Sequence, residues 1–417
     1  MGQMFDVAII GGGASGLACA DVIKMNDKRI SVCILEQLPR VGKKLLTTGN
    51  GRCNITNKKI SISRYHGENP LFCKFALSAF DAFTAEVFFN RLGVIFYYDE
   101  KGRAYPYSLQ AGAVLDALRL FADQNGVKTL TDHKVTNIEK GKSGYKITAG
   151  DEIIKATNVV IAAGLLSGSE ASGSNGSMLE ILKRMGYRVV ETSPSIVPLK
   201  TENTLTKSLK GIKVTANATL YSKNEKIAED CDEVLFCDYG LSGPAVMQIS
   251  RNAARKGKDC HISLDIMPDY KYESVYDMIR YRATELCDRP LEDFFTGMLN
   301  KRVGQAVIKL CNLKLTDTAA TLTADDFKNL AKAIKDLRFK VLGHTGYINS
   351  QVTAGGVDTS CFDDETMMSE KDEGLYCIGE ILDIDGDCGG FNLQWAWSSA
   401  MCAAESICDR LNDDENS

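Results

Sequence analysis

The chain has 417 residues, too many for one ordinary core, which implies two or three domains. Its 44% apolar and 25% charged content is that of a globular protein, and a net charge of −5 from 49 basic and 54 acidic side chains argues against nucleic acid as the main partner while leaving room for a local basic patch. Fourteen cysteines include no Cys-x-x-Cys pair, and His66, His133, His261 and His344 are scattered, so reduced thiols and no metal site are expected.

At the start, "MGQMFD" has Asp6 where a myristoylation signal needs Ser or Thr. No secretory pattern and no run of 18 apolar residues follows, so the expected setting is the cytoplasm with no membrane contact. "FDVAII", Phe5 to Ile10, suits a buried parallel strand. "GGGASG" comes next, with Gly11, Gly13 and Gly16 in G-x-G-x-x-G register, then a helix with small residues, "LACADVIKM". A second strand, "ISVCILE", ends in Glu36, twenty positions after Gly16. Gly11 permits the tight turn, Gly13 lets a pyrophosphate approach the backbone, and Gly16 lets helix and strand pack closely. The helix N-terminus offers unpaired N–H groups to that pyrophosphate. Glu36 can accept hydrogen bonds from ribose hydroxyls and would repel a 2′-phosphate, which points to FAD or NAD rather than NADP as the resident nucleotide.

"RVGKKLLTTGNGRCNITN", Arg40 to Asn57, carries Lys43, Lys44, Gly49, Gly51 and Arg52 without a helical period. A glycine-rich basic loop at a strand's carboxyl end fits a second contact with phosphate or flavin, or else a solvated turn. "NVVIAAG", Asn158 to Gly164, is another buried strand ending in glycine. Residues 195–342 then read as an insert. "GIKVTANATLYS" and "KDCHISLDIMP" alternate like antiparallel strands, and helical patches such as "SVYDMIRYRATELC" and "DDFKNLAKAIKDL" occupy about 271–338. "FCDYGLSGPAVMQIS" is expected to be a tight crossing between domains. "GHTGYINSQVTAGGVD" returns the chain, with Thr353, Gly355 and Gly356 able to line a flavin. His344 and Tyr347 can polarise a substrate carbonyl or be structural.

Near the end, a strand from Leu375 to Ile378 runs into Gly379-Glu380, an acidic glycine loop, and a helix starting at Phe391 or Asn392. Leu393, Ala396, Trp397, Ala400, Met401, Ala404 and Cys408 form its predicted buried stripe. Trp395 and Trp397 suit core packing or ring stacking. Asp385 and Asp387 disfavour a redox thiolate at Cys388. The tail "LNDDENS" is expected to fray.

Five stretches, "IIGGGASGL", "GKKLLTTGNGRCNITN", "GLSGPAVMQIS", "QVTAGGVD" and "GLYCIGEILDIDGDCGGFNLQWAWSSA", together resemble the NAD(P)/FAD-dependent flavoprotein family that includes the bile-acid enzyme BaiN and the aminoacetone oxidases. "AAGLLSGSEASGSNGS", Ala162 to Ser177, departs from the family's proline- and glycine-rich pattern. The resemblance implies an α/β fold: a Rossmann-like FAD-binding domain in two segments, 1–194 and 343–417, around an inserted β-barrel-like domain at 195–342 with a helical subdomain. It implies that the C-terminal loop and helix close over the isoalloxazine, with Asn392, Leu393 and Gln394 at its N1–C2=O edge. The FAD site so expected comprises Gly11, Gly13, Ala14, Ser15, Gly16, Glu36, Gln37, Lys43, Lys44, Gly49, Asn50, Gly51, Arg52, Cys53, Asn54, Val135, Ala163, Gly164, Gly379, Glu380, Asp385, Asn392, Leu393 and Gln394.

With no second G-x-G-x-x-G, NAD(P)H would bind only transiently as co-substrate. The leading expectation is an FAD-dependent reductase of conjugated C=C bonds beside a 3-oxo group of a steroid or bile acid, with an apolar small molecule as its partner. The alternatives are an oxidase of small amines such as aminoacetone, which releases peroxide, and a flavin-holding RNA-modifying protein. No catalytic acid is assigned; Tyr97, Tyr98, Tyr105 and Tyr107 are candidates because phenols cluster there.

Overall fold

The computed structural model describes residues 4–168, 172–202, 204–256 and 259–416. It divides into two compact units, one formed by Met1–Pro194 with Tyr347–Ser417 and the other by Ser195–Gly346.

In the first unit the apolar run becomes strand β1 (Met4–Ile10), whose last four residues are buried. Helix α1 (Ala14–Asn26) follows, then β2 (Val32–Leu35), α2 (Ala111–Gln124), β3 (Lys128–Leu130), β4 (Val135–Gly141), β5 (Gly144–Ala149) and the ten-residue β6 (Glu152–Ile161). They form one sheet in the order β3-β2-β1-β6-β5-β4. The far edge of β6 is shared. Its first half pairs antiparallel with β5, and residues 159–161 pair in parallel with a strand from the other end of the chain, Leu375–Cys377. Register aligns the carboxyl ends: Ile10 lies opposite Leu35 and Ile161, and Ile161 opposite Cys377. The loops after these four parallel strands therefore leave the sheet at one level, where open α/β sheets bind ligands.

The second unit holds β7 (Leu199–Thr201), β8 (Lys213–Ser222), β9 (Glu225–Cys237), β10 (Gly240–Ser242), helix α3 (Pro244–Lys256), β11 (Cys260–Asp265), helices α4 (Tyr272–Glu285), α5 (Lys301–Leu310) and α6 (Ala324–Lys335), and β12 (Leu337–His344). Its six strands close into a barrel, β7-β10-β9-β8-β11-β12. Closure removes the sheet's edges, and the barrel shares a core with the helices through Phe236, Leu264, Val275, Val307 and Ile334. The expected domain crossing at Phe236–Ser250 is corrected. That stretch is the end of β9, barrel strand β10 and the start of α3, all inside this unit. Gly240 is needed because a Cβ there would lie 2.3 Å from the Leu199 carbonyl oxygen of the paired strand.

The chain re-enters the first unit through β13 (Val352–Val357) and β14 (Leu375–Cys377), and ends in helix α7 (Phe391–Asn416). The tail does not begin as a frayed segment at Leu411, since α7 continues through it; Ser417 lies outside the described residues. Nor is the burial of α7 confined to a stripe. Gln394 through Ala404 are all buried, because Trp395 meets Phe72 edge-on at 6.3 Å, Trp397 meets Phe89 at 5.1 Å, and α1 packs alongside. A helix covered on several sides loses its amphipathic pattern.

Candidate active site

The glycine loop divides its work between fold and ligand. Gly11 has φ +108°, and a Cβ on it would sit 2.5 Å from the Ala162 carbonyl oxygen, so glycine is required where β1 and β6 converge. A Cβ on Gly16 would lie 2.0 Å from the Gly11 carbonyl oxygen, which is the close helix–strand approach expected of the third glycine. A Cβ on Gly13 would meet nothing within 4 Å. Gly13 is also the N-cap of α1 and supplies no side-chain cap to its first turn. Open space before an uncapped helix start favours an anion.

Glu36 closes one side. Its Oε2 accepts from the Gly12 N–H at 3.0 Å and its Oε1 from the Leu38 N–H at 2.9 Å. The carboxylate is thus aimed across the loop before any ligand arrives, and each oxygen keeps a lone pair for a hydroxyl donor. Burial raises its pKa, opposed by those N–H groups and by Lys43. Beside it, the Glu36 carbonyl oxygen accepts from the His133 N–H, which brings the start of β4, with buried Val135, next to this edge. Gln37 is drawn elsewhere, into hydrogen bonds with the Gly173 carbonyl oxygen and the Asn175 amide.

The loop at Arg40–Asn57 lies on the glycine loop. The Gly42 N–H donates to the Gly12 carbonyl oxygen at 2.8 Å, and a Cβ on Gly12 would meet Val41 at 2.5 Å. Lys44 pairs with Glu380 at 2.6 Å, and the other Glu380 oxygen accepts from the Thr353 N–H at 2.9 Å. A Cβ on Gly164 would lie 3.4 Å from Glu380. Lys44, Gly164 and Glu380 are therefore one cluster, in which Lys44 is charge-paired. Further along, Gly49, Asn50, Gly51 and Cys53 all have positive φ, a turn that returns the chain under itself. Arg52 is exposed and stands over the Tyr105 ring at 5.0 Å. Cys53 is fully buried and its thiol is pushed up to about 12, which removes it as a nucleophile. The Asn54 Oδ1 is buried with no partner among the described residues, 2.9 Å from where a Gly390 Cβ would stand.

The C-terminal segment meets this group directly. Gly379 has φ +70°, and a Cβ on it would be 2.8 Å from the Ser15 hydroxyl in the first turn of α1. Gly379 is held from both sides: its N–H donates to the Ser399 hydroxyl, and its carbonyl accepts from the Trp395 indole N–H at 3.0 Å. The Trp397 indole N–H donates to the Ile55 carbonyl oxygen at 2.9 Å. Both tryptophans are buried and act as staples joining α7 to Gly379 and to Ile55, which makes them packing residues.

At the start of α7 the predicted trio divides. The Asn392 amide closes its own loop, accepting from the Gly386 N–H and donating to the Gly386 carbonyl at 2.8 Å each. Gln394 is fully buried, bonded to Thr56, Phe80 and Ser398. Leu393 is half-buried. Asp385 is buried, in a two-residue strand paired with His66. Asp387 takes His66 at 2.7 Å and Arg64 at 3.1 Å.

Thr353 accepts from the Ser167 N–H, and Gly355 and Gly356 are needed for backbone contacts with Glu191 and Ile381. Tyr98 donates to Glu86 at 2.6 Å, while Tyr97 and Tyr107 are exposed. His344 Nδ1 accepts from the Gly346 N–H. Sequence reasoning missed Gly12, Val41, Gly42 and Ser399, which join the loops together. Only Gly42 left a signal, as a glycine between two strands. Among the described residues no group of His, Cys, Asp and Glu is placed to hold a metal ion.

An open Gly13, an uncapped α1 start and a pre-aimed Glu36 fit the pyrophosphate and ribose of a dinucleotide such as FAD. A model of the family described as "HI0933-like protein Rossmann domain" matches residues 5–406. The chain is similar to the 3-dehydro-bile acid delta(4,6)-reductase of Clostridium scindens, 33% identical over 97% of this chain and 99% of that one. It is 29% identical to the ribosomal RNA dihydrouridine synthases of Escherichia coli, over 97% of this chain and 98% of the relative, and of Haemophilus influenzae, over 98% and 99%.

Proposed function

This chain belongs to the HI0933-like protein Rossmann domain family, and from that premise we propose that it is an FAD-dependent oxidoreductase that reduces a C=C bond conjugated with a carbonyl, using NAD(P)H as donor. The observation that carries the reading is the open Gly13 at the uncapped start of α1, faced by a Glu36 already held by two backbone N–H groups. The relatives' names support the reaction class. A 3-oxo steroid unsaturated at positions 4 and 6 and a uridine ring each contain a C=C in conjugation with a carbonyl. The first substrate reading is a 3-oxo steroid or bile acid, after the relative of 33% identity. A uridine in RNA is the second, favoured by two relatives and by the charge of the loop at 37–67.

The residues that would hold FAD are Gly11 to Gly16 and the first turn of α1 for the pyrophosphate, Glu36 for the ribose, and the loops at 49–54, 164, 379–380 and 389–393 for the ring. When bound, FAD supplies the two-electron chemistry of a net reaction in which C=C, NAD(P)H and one proton give CH–CH and NAD(P)⁺. The chain's own task is to bind, orient and exclude water. The α1 dipole favours the pyrophosphate charge. The Lys44–Glu380–Thr353 links fix the spacing of three loops. The dipole of α7 would favour negative charge beside the start of that helix.

Anaerobic addition of NADH or NADPH to the yellow protein, followed by a 3-oxo-4-ene steroid, tests the reading. Bleaching of the flavin band and its return with formation of the saturated ketone are expected. An oxidised band that never bleaches contradicts it, and peroxide released on adding an amine in air would turn the assignment to an oxidase.

A further inference from the structure

Just before the glycine turn that opens α7, two short segments far apart in the sequence lie side by side. Tyr65–His66 pairs antiparallel with Asp385–Gly386, His66 opposite Asp385 and Tyr65 opposite Gly386. Tyr65 is the anchor. It is buried, its hydroxyl donates to the Phe391 carbonyl oxygen at 3.0 Å, and its ring meets Phe391 edge-on at 6.1 Å. Successive side chains of a strand point to opposite faces, so burying Tyr65 turns His66 the other way. The His66 side chain is 34% exposed, against 10% for Asp387.

Asp387 fixes the imidazole. Its Oδ1 accepts from His66 Nε2 at 2.7 Å and its Oδ2 from Arg64 at 3.1 Å, while its own N–H donates to the Arg64 carbonyl oxygen at 2.9 Å. The Asn392 amide reaches the Asp387 carbonyl oxygen at 3.3 Å. A carboxylate paired with a guanidinium only accepts, so Nε2 carries a hydrogen and Nδ1 is the nitrogen left to exchange protons. Nδ1 has no hydrogen-bond partner among the described residues. A carboxylate that holds one imidazole nitrogen and leaves the other open is how enzymes aim a histidine at a reacting atom.

The pair adjoins the turn proposed to face the flavin ring. Cys388, Gly389 and Gly390 follow Asp387 and are all partly exposed. The turn is seated on the loop before it: the Asn57 amide donates to the Gly389 carbonyl oxygen at 2.8 Å, and a Cβ on Gly390 would lie 2.5 Å from the Thr56 carbonyl oxygen. The phenols are worse placed to give a proton, since the Tyr98 hydroxyl is spent on Glu86 and Tyr105 is buried beneath Arg52. The charged groups about His66 are Arg64, Asp385 and Asp387; Asp383 accepts from the Glu68 N–H, and Glu68 pairs with Arg188. We propose that His66 is the general acid of the reduction, the residue that protonates the α-carbon of the conjugated C=C, with Asp387 as its positioning residue. This rests on the reductase reading. A hydride delivered from the NAD(P)H-reduced flavin forms the β C–H bond and moves the C=C electron pair onto the α-carbon and its carbonyl. The Nδ1–H bond of the imidazolium breaks as the α C–H bond forms, and the neutral imidazole then takes a proton from water. One hydride and one proton thus convert C=C into CH–CH.

Stopped-flow absorbance separates the two halves of turnover. Flavin-loaded protein is bleached anaerobically with NAD(P)H, then mixed with a 3-oxo-4-ene steroid or a uridine-containing RNA. His66→Gln, which keeps a donor for Asp387, slows the return of the flavin band about a hundredfold or more, the scale of general acid catalysis, while bleaching, which needs no proton from this residue, proceeds. Asp387→Asn slows the return less and moves its pH profile. His66→Ala regains part of the rate when imidazole is added, which a folding defect would not allow. One readout needs no acceptor. The oxidised flavin band is recorded from about pH 5 to 8, where imidazoles change charge, and a charge appearing beside the ring shifts the band in the parent but not in His66→Gln. Equal return rates in parent and His66→Gln, a loss in His66→Ala that imidazole does not restore, or identical pH difference spectra would each overturn the proposal. A parent that bleaches but returns with neither acceptor defeats the reductase reading, and the donor role with it; the difference spectra then still decide whether His66 stands at the ring.

Discussion

At the scale of single residues, two glycines of one motif carry different consequences. Because a Cβ on Gly13 meets nothing within 4 Å, Gly13→Val should fold and melt like the parent without flavin, yet purify colourless. Visible absorbance beside a thermal melt checks both halves. Gly16→Ala should do the reverse first, since its methyl would stand 2.0 Å from the Gly11 carbonyl oxygen and force helix from strand at a cost of about 1–3 kcal/mol. Glu36→Ala removes acceptors from the Gly12 and Leu38 N–H groups as well as from the ribose. At roughly 1.5–3 kcal/mol per charge-assisted bond, the flavin dissociation constant should rise about tenfold to a hundredfold, and an unchanged constant on titration would contradict the role. Asp21 makes a different prediction. It is buried in α1 with no partner for either oxygen among the described residues, and burial, aided by Asp123, pushes its carboxyl up to about 9 from 3.8. A raised carboxyl favours the folded state fully below the unfolded value and loses that advantage as pH rises toward the folded one. Stability should therefore fall between about pH 4 and 9, and Asp21→Asn should flatten the fall in melting temperature over that range.

At the scale of elements, β1, α1 and β2 were legible because their signals are local: an apolar run, glycines at fixed offsets, and an acid at a strand end. The C-terminal helix was legible in position but not in its surroundings. Its predicted stripe comes from residues that recur at helical spacing, while the burial of Gln394, Trp395, Ser398 and Ser399 follows from α1 and from residues 72–89, which approach from far along the chain. Gln394 illustrates why a site residue is hard to read from sequence. A glutamine at a helix start suits a ligand edge, yet this one completes three hydrogen bonds inside the core. Gly240 and Gly243 misled in the opposite sense: glycines between apolar runs suggest a crossing, whereas here they admit a paired strand, with Cβ positions 2.3 and 2.4 Å from carbonyl oxygens of neighbouring strands. Trp397→Phe should keep the ring packing but lose the bond to the Ile55 carbonyl, leaving that carbonyl buried without its donor. We expect a loss of about 1–3 kcal/mol in denaturant unfolding and a smaller change in flavin content.

At the scale of the whole molecule, the chain interrupts its nucleotide-binding unit with a barrel whose own ends meet. Leu199 of β7 pairs with His344 of β12, so residues 195–346 enter and leave at neighbouring positions. A separate buried core from Leu199 to Val341 serves this unit. Such an insert should fold when expressed alone as residues 195–346, and cooperative unfolding by circular dichroism would establish it. The nucleotide-binding unit, by contrast, needs both its segments, because β14 completes the edge of β6 and α7 carries the staples at Gly379 and Ile55. The central claim is that this two-segment unit holds FAD for reduction of a C=C bond conjugated with a carbonyl. Its most direct test is the flavin absorbance of the purified protein under anaerobic conditions, first with NADH or NADPH and then with a 3-oxo-4-ene steroid or a uridine-containing RNA. The account predicts that the band bleaches with the nicotinamide and returns with one of the two acceptors as its C=C is reduced. A flavin that stays oxidised, or one that is reduced and returns only with oxygen, would contradict it.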